Sequence, residues 1–269
     1  MNDLPKFDAP PISEVVISLQ FDRVPALSAA HIGWYWKDCL GPERWTTVAQ
    51  TKTIGDAFER FGEETEWAPL GGVRFITDPP SELRLQFVTK NQERMIQVQP
   101  SRFAYNWRKR SGEYPTFEKL QPDFDAEFSR FREFLVRSGI GSINLNQWEI
   151  SYVNQIHRGD GWSLPQDWKA ISTSLVSPVN VPGQQLETLE CNWHFVIGDA
   201  LGRVHITANH GRLGSKKGPE VLTVQLTARG PIGSNGNYHQ GFDLGHRHLV
   251  LTFDEMTSDA AHKKWGRGR

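Results

Sequence analysis

The stretch MIQVQPSRFAYNW, residues 95–107, organises the rest of the chain. Its two halves alternate apolar and polar residues at period two, a pattern typical of strands with one buried face. Pro100 separates them, because proline has no N–H to give to a strand ladder. The stretch therefore predicts two consecutive antiparallel strands, with Phe103, Tyr105 and Trp107 on the buried side of the second.

The same alternation predicts further strands at residues 14–21, 73–76, 83–88, 148–156, 192–197, 203–207 and 221–228. Residues 46–72 show little regular pattern beyond one possible strand. Between Thr116 and Arg137 the period changes to about 3.6, which predicts a long amphipathic helix with a Phe stripe. Pro122 is expected to kink this helix or to mark its start. Shorter patterns predict helices from Ser28 to Cys39, over 164–171 and from about Asn237.

The predicted elements repeat in order, because each half gives a strand, a helix, three or four strands and a long helix. The sequence thus predicts an α+β protein with two sheet-and-helix halves, residues 1–139 and 140–269, which form two domains or one continuous domain. The halves are expected to join in one curved antiparallel sheet with the helices on one face. This plan is similar in topology to the TATA-binding-protein-like and helix-grip folds.

Four motifs occur in a fixed order: PPISEVV at 10–16, QVQPSRFAYNWR at 97–108, YPTFEKL at 114–120 and SYVNQI at 151–156. Together they resemble an uncharacterised family of bacterial proteins of about this length, which is distributed sporadically among genomes. The resemblance brings no established catalytic residues. The sporadic distribution suits an accessory gene concerned with toxin control, a chaperone-like task or phage defence.

Composition restricts the class of protein. The 38 % hydrophobic content, with ten Trp and fifteen Phe, indicates a folded chain. Neither an apolar run of about 18 residues nor a signal pattern is found, so we predict a cytoplasmic protein without a membrane partner. The net charge of −1 argues against a dedicated nucleic-acid binder. The two cysteines lie far apart and suggest neither a disulfide framework nor a metal site.

Charge is nevertheless distributed unevenly. Residues 94–110 hold five basic residues and no acid, whereas residues 59–66 hold four acids and one Arg. A second acid-free basic run spans residues 203–217. If the halves repeat, the two basic runs flank one concave surface, where Arg side chains bind phosphate or carboxylate. The alternative, solvated hairpins without a ligand, remains open. The predicted ligand-binding residues are Arg102, Asn106, Arg108, Lys109, Arg203 and Arg212.

Catalytic and metal sites are not predicted. His239, His246 and His248, with His205 or His210, are the candidate metal ligands, but residues two apart on a helix point in different directions. No G-x-S-x-G motif and no activated cysteine context occurs. Asn154 lies on an apolar strand face, and we predict that it secures a turn or a helix end.

These patterns favour a non-enzymatic protein, without metal or cofactor, whose curved sheet binds a segment of another protein. The alternatives are a nucleic-acid binder that uses the two basic hairpins and a metal-dependent hydrolase that uses the late histidines. Partner identity and oligomeric state are left open.

Overall fold

The computed structural model describes residues 4–62, 83–175, 179 and 181–268. Nine strands in these ranges form one open antiparallel sheet, and helices cover one of its faces, so the predicted α+β class is confirmed. The strands are β1 (Ile12–Phe21), β2 (Thr47–Lys52), β3 (Leu83–Val88), β4 (Arg94–Gln99), β5 (Arg102–Arg108), β6 (Leu145–His157), β7 (Glu190–Ile197), β8 (Gly202–Arg212) and β9 (Glu220–Pro231). The helices are α1 (Ala29–Tyr35), continued by a π-helical turn (Trp36–Leu40), α2 (Phe117–Arg137), a 3₁₀ turn (Pro165–Ala170), α3 (Tyr238–Met256) and α4 (Asp259–Lys264).

The first strand of each half lies at the centre of the sheet. The order is β2-β3-β4-β5-β1-β6-β9-β8-β7, so β1 pairs with β5 on one edge and with β6 on the other. In this register Ile17 lies between Tyr105 and Ile150, and all three are buried. Residues of both predicted halves therefore belong to one hydrogen-bonded sheet.

Helix α2 covers the aromatic side of β5, as the Phe stripe predicts. The Phe103 ring centroid lies 5.9, 5.5 and 5.2 Å from those of Phe124, Phe128 and Phe131. Such aromatic packing contributes stability beyond the burial of apolar area. The helix begins at Phe117, so Pro122 lies within it and does not mark its start.

Most predicted elements occur, with longer bounds in several cases. Strand β6 runs for 13 residues and exceeds its predicted length at both ends. Ser28 caps α1, because its hydroxyl accepts a hydrogen bond from the His31 amide. The strand predicted at 73–76 lies outside the described residues. None of the helices in the described ranges has both the length and the apolar content of a membrane span.

Trp148 of β6 lies against Gly241 and Gly245 of α3 and is 2 % exposed. Glycines make room for its indole ring. A Cβ atom on Gly241 of α3 would lie 2.3 Å from Trp148 Cδ1, and one on Gly245 would lie 2.6 Å from Cζ3. A Cβ on Gly230 of β9 would lie 2.7 Å from Cζ2. The large side chain and the small ones are thus complementary in shape.

We expect Gly241→Ala to lower the free energy of unfolding by about 1–3 kcal/mol, since overpacking a close contact forces the helix or the indole to move. This loss opposes the gain in helix propensity that alanine brings. Urea denaturation measures the difference. Gly33→Ala in α1 is the matched control, because its Cβ would meet nothing within 4 Å. Equal stability of the two variants would contradict the role of the Trp148 contact.

Candidate binding site on the polar face of the sheet

The sheet face opposite α2 and α3 is polar, yet much of it is buried. Buried polar groups need hydrogen-bond partners, because an unmade bond costs about 1–3 kcal/mol. The side chains of this face satisfy one another across neighbouring strands. Its buried polar residues include Ser18, Gln20, Gln97, Gln99, Arg102, Asn106, Gln147 and Ser151.

Arg102 and Asn106 lie on this face, as the alternation of β5 predicts. Both are buried, and both already bind side chains of the protein. Arg102 Nη1 lies 3.2 Å from Glu149 Oε1, and its Nη2 donates to Gln20 Oε1 at 2.8 Å. Asn106 Nδ2 donates to Glu14 Oε1 at 2.6 Å. The two residues therefore help to build the face and do not project from it into solvent.

An extended segment of the chain, residues 53–62, crosses this face, and we call it the crossing segment. Gln99 of β4 accepts a hydrogen bond from the Ile54 amide at 2.9 Å and donates to its carbonyl at 2.8 Å. Gln20 of β1 accepts from the Ala57 amide at 2.9 Å. Gln147 of β6 accepts from the Glu59 amide at 3.2 Å. Three glutamines on three strands thus bind main-chain atoms of the crossing segment. These bonds do not depend on which side chains the segment carries.

Towards its C-terminal end, the crossing segment contributes Glu59 to a buried cluster of charged side chains. The Glu59 carboxylate contacts Arg203, accepts from Arg229 Nε at 2.9 Å and lies 2.7 Å from His205 Nε2. Arg229 Nη1 also donates to Glu149 at 3.2 Å, which joins this cluster to Arg102. Buried charges of opposite sign that share hydrogen bonds offset part of their desolvation cost.

Glu59 is held in its ionised form. Burial alone would raise the pKa of its carboxyl, but the hydrogen bonds and charges of His205 and Arg229 lower it from 4.5 to about 2. His205 Nδ1 lies 2.8 Å from His194 Nδ1, so the two rings also share a hydrogen bond. Burial, together with the positive charges of His205 and Arg203, lowers the pKa of His194. The ionised Glu59 carboxylate therefore lies among the cationic side chains of Arg203 and Arg229.

The other predicted binding residues lie away from this cluster. Lys109 is exposed beyond the end of β5, and Arg108 is partly buried just before it. Arg212 is nine residues beyond Arg203 on β8, about 30 Å along an extended strand. It pairs with Glu220 at 3.3 Å. The long strand therefore separates Arg203 from Arg212, and the ligand-binding role of the two residues stays a prediction.

The histidines considered as metal ligands are also dispersed. His246 is on the helix side of the sheet and bonds to Tyr152 at 2.6 Å. His239 lies at the start of α3 beside Gln121, whereas His205 is on the polar face. Among the residues that the structure describes, no group of three or more His, Cys, Asp or Glu side chains could hold a metal ion.

Sequence reasoning missed Glu59, Arg229 and the three glutamines. Glu59 is the first residue of the acidic run at residues 59–66. Its contacts to Arg203 and Arg229 span 144 and 170 residues of the sequence. The alternation of β9 assigns Arg229 to the polar face, and this placement can be read from the sequence. Nothing in the sequence, however, indicates which strands the crossing segment meets.

Comparison of the chain with protein-family models, curated protein sequences and solved structures gives no match. The resemblance to a bacterial family therefore stays a prediction. The polar face must be interpreted from its own geometry.

We expect the ionised Glu59 carboxylate to stabilise the fold at neutral pH and to lose this effect at acid pH. Because its pKa is lowered, the ionised carboxylate contributes its full stability above pH 4.5 and loses it as the pH falls towards 2. Glu59→Gln should lower the free energy of unfolding by up to about 3 kcal/mol at pH 7. This difference from wild type should shrink below pH 4.5. Urea denaturation from pH 7 to pH 2.5 measures it.

Glu255→Gln is the control, since Glu255 is exposed on α3. This variant should follow the wild-type stability profile at every pH. A constant difference between wild type and Glu59→Gln across the whole range would contradict the role assigned to the Glu59 carboxylate.

Proposed function

We propose that the polar face binds an extended segment of a partner protein and that the crossing segment occupies this place intramolecularly. The glutamines of β4, β1 and β6 bind the main chain of the partner segment. The cluster of Arg203, His205 and Arg229 binds one of its carboxylates. The protein acts as a binding protein, and the resemblance to accessory bacterial proteins suggests toxin control, a chaperone-like task or defence as its setting.

The observation that carries the proposal is the way in which residues 53–62 are held. Main-chain groups at Ile54, Ala57 and Glu59 bond to side chains of the sheet, so a chain of different sequence can make the same bonds. Two carboxylates supply the sequence preference. Asp56 accepts from Ser101 Oγ at 2.6 Å, and Glu59 enters the arginine cluster. An acidic extended segment matches this chemistry.

Charge favours a carboxylate ligand over a nucleic-acid backbone. Arg102 and Arg229 bind Glu149, and Arg203 binds Glu59, so these three guanidinium groups are already paired with carboxylates. A carboxylate that replaces Glu59 leaves the net charge of the cluster unchanged. A run of phosphates would add several negative charges beside Glu149, which is unfavourable. The nucleic-acid and hydrolase alternatives have no comparable support among the described residues.

We also propose that the two halves of the chain are duplicates of one unit, in the manner of the saddle-shaped folds they resemble. The strand order supports this idea. In the first half β5, β4, β3 and β2 extend outward from β1, and in the second half β9, β8 and β7 extend outward from β6. A long helix closes each half, so the polar face spans both units.

The test supplies the crossing segment in trans. A labelled peptide of sequence TIGDAFERFG, residues 53–62, is titrated into the full-length variant Asp56→Ala/Glu59→Ala, and fluorescence anisotropy gives the dissociation constant. The variant lacks both anchoring carboxylates, so we expect at least tenfold tighter binding than to wild type, where the tethered segment competes. Amide hydrogen exchange should increase in residues 53–62 of the variant and not in β1 or β6.

The matched control peptide carries Gln in place of the glutamate. It should bind the variant at least tenfold more weakly, and adding Arg203→Gln to the protein should remove the preference for the glutamate peptide. Equal affinity of the two peptides would overturn the proposal. Binding of a single-stranded DNA oligonucleotide in the same assay, without binding of the peptide, would favour the nucleic-acid alternative.

A further inference from the structure

A cavity of about 440 Å³ lies on the helix side of the sheet, away from the polar face. It is enclosed by residues 4–8, the start of α2, the middle of α3 and strand β6. Small-molecule sites in proteins commonly have volumes from about 300 to 1,000 Å³, with apolar walls and few polar groups. The volume of this cavity lies within that range.

The walls are mostly apolar, and their polar side chains other than the exposed Lys6, Asp8 and Glu118 are uncharged. Phe117, Val250 and Phe253 line the cavity. The His246 ring stacks on Phe117 at 4.4 Å between centroids, and its Nδ1 lies 2.6 Å from the Tyr152 hydroxyl. Burial lowers the pKa of His246, although the nearby carboxylates of Glu118 and Asp243 oppose this effect. The imidazole is therefore neutral at pH 7.

Two buried polar atoms at this cavity have no hydrogen-bond partner in the described part of the chain. They are Asn154 Oδ1 and the Tyr114 hydroxyl, which lies near the Tyr152 side chain but outside hydrogen-bond geometry. Asn154 is 1 % exposed, and its Nδ2 donates to the Val224 carbonyl at 3.1 Å, so the amide group is fixed with Oδ1 as an unused acceptor. This contact corrects the prediction that Asn154 secures a turn or a helix end. Such orphaned atoms are costly and rare in folded proteins.

The side chains of Asn154 and Tyr114 belong to the lining of the same cavity. Tyr152 and Asn154 are two residues apart on the same face of β6, about 7 Å along the strand. The Tyr114 ring centroid lies 6.4 Å from that of Tyr152. One ligand can thus offer a donor to Asn154 Oδ1 and an acceptor to the Tyr114 hydroxyl, with its apolar part against Phe117 and Phe253.

We propose that this cavity binds a small neutral molecule whose apolar ring carries a neighbouring donor and acceptor, as in a primary carboxamide or a lactam. The donor of the ligand bonds to Asn154 Oδ1, and the Tyr114 hydroxyl donates to its carbonyl. The charged side chains among the lining residues, Lys6, Asp8 and Glu118, are exposed to solvent, and the Glu118 carboxylate lies 3.9 Å from His246 Nε2. An anionic or cationic ligand of the same shape would lose its hydration without a counter-charge.

The experiment uses the full-length protein and four ring compounds of similar size: benzamide, toluene, benzoate and benzylamine. Ligand-observed NMR gives their dissociation constants. We expect benzamide to bind in the millimolar range or tighter, as its few heavy atoms allow, and at least tenfold more tightly than the other three. Tyr114→Phe, which removes only the hydroxyl, should weaken benzamide binding at least fivefold and leave toluene binding unchanged.

Val250→Phe fills the cavity and should abolish binding of benzamide, whereas Val136→Phe, at an exposed site near the end of α2, should not change it. Thermal unfolding of each variant establishes that it is folded. Absence of benzamide binding to wild type at millimolar concentration would overturn the proposal. Equal binding of toluene and benzamide, or an unchanged affinity in Tyr114→Phe, would overturn the donor and acceptor roles.

Discussion

Burial of a polar sheet face is the constraint on which the rest of the structure depends. The sheet is open, and the helices α2 and α3 cover only one of its faces. On the other face, Arg102 and its neighbours are buried and must find partners within the protein. The glutamines, Glu149 and the crossing segment meet this requirement together. The segment is therefore part of the fold as well as the occupant of the proposed binding face.

The local structure could be predicted from the sequence to a large extent. Alternation at period two gave β1, β3, β4 and β5, because each presents one apolar face to a helix. The Phe stripe gave α2 for the same reason. The packing of Trp148 was not predicted, although glycines four residues apart on α3 are a readable sign of close approach. The glycine spacing alone does not indicate which side chain packs against α3 at this point.

For the candidate site, the sequence predicts only the sheet face on which its residues lie. Alternation assigns Arg102 and Asn106 to the face away from the aromatic residues, and that placement is correct. Their ion-pair and hydrogen-bond partners depend on strand register and on contacts between distant segments. Glu59 illustrates the difficulty, because it belongs to a stretch without regular pattern and binds residues more than 140 positions away. Local periodicity carries no information about a contact of this kind.

Strand β6 takes part in both proposed sites, because alternate residues of a strand point to opposite faces. Glu149 faces the arginine cluster, whereas Tyr152 and Asn154 face the cavity. A shift of one residue in register would exchange these faces, and it would bury Glu149 under α3. Pairing on both edges prevents the shift, since Ile150 lies between Ile17 of β1 and Ala228 of β9. Ligands at the two proposed sites would therefore contact a strand of fixed register.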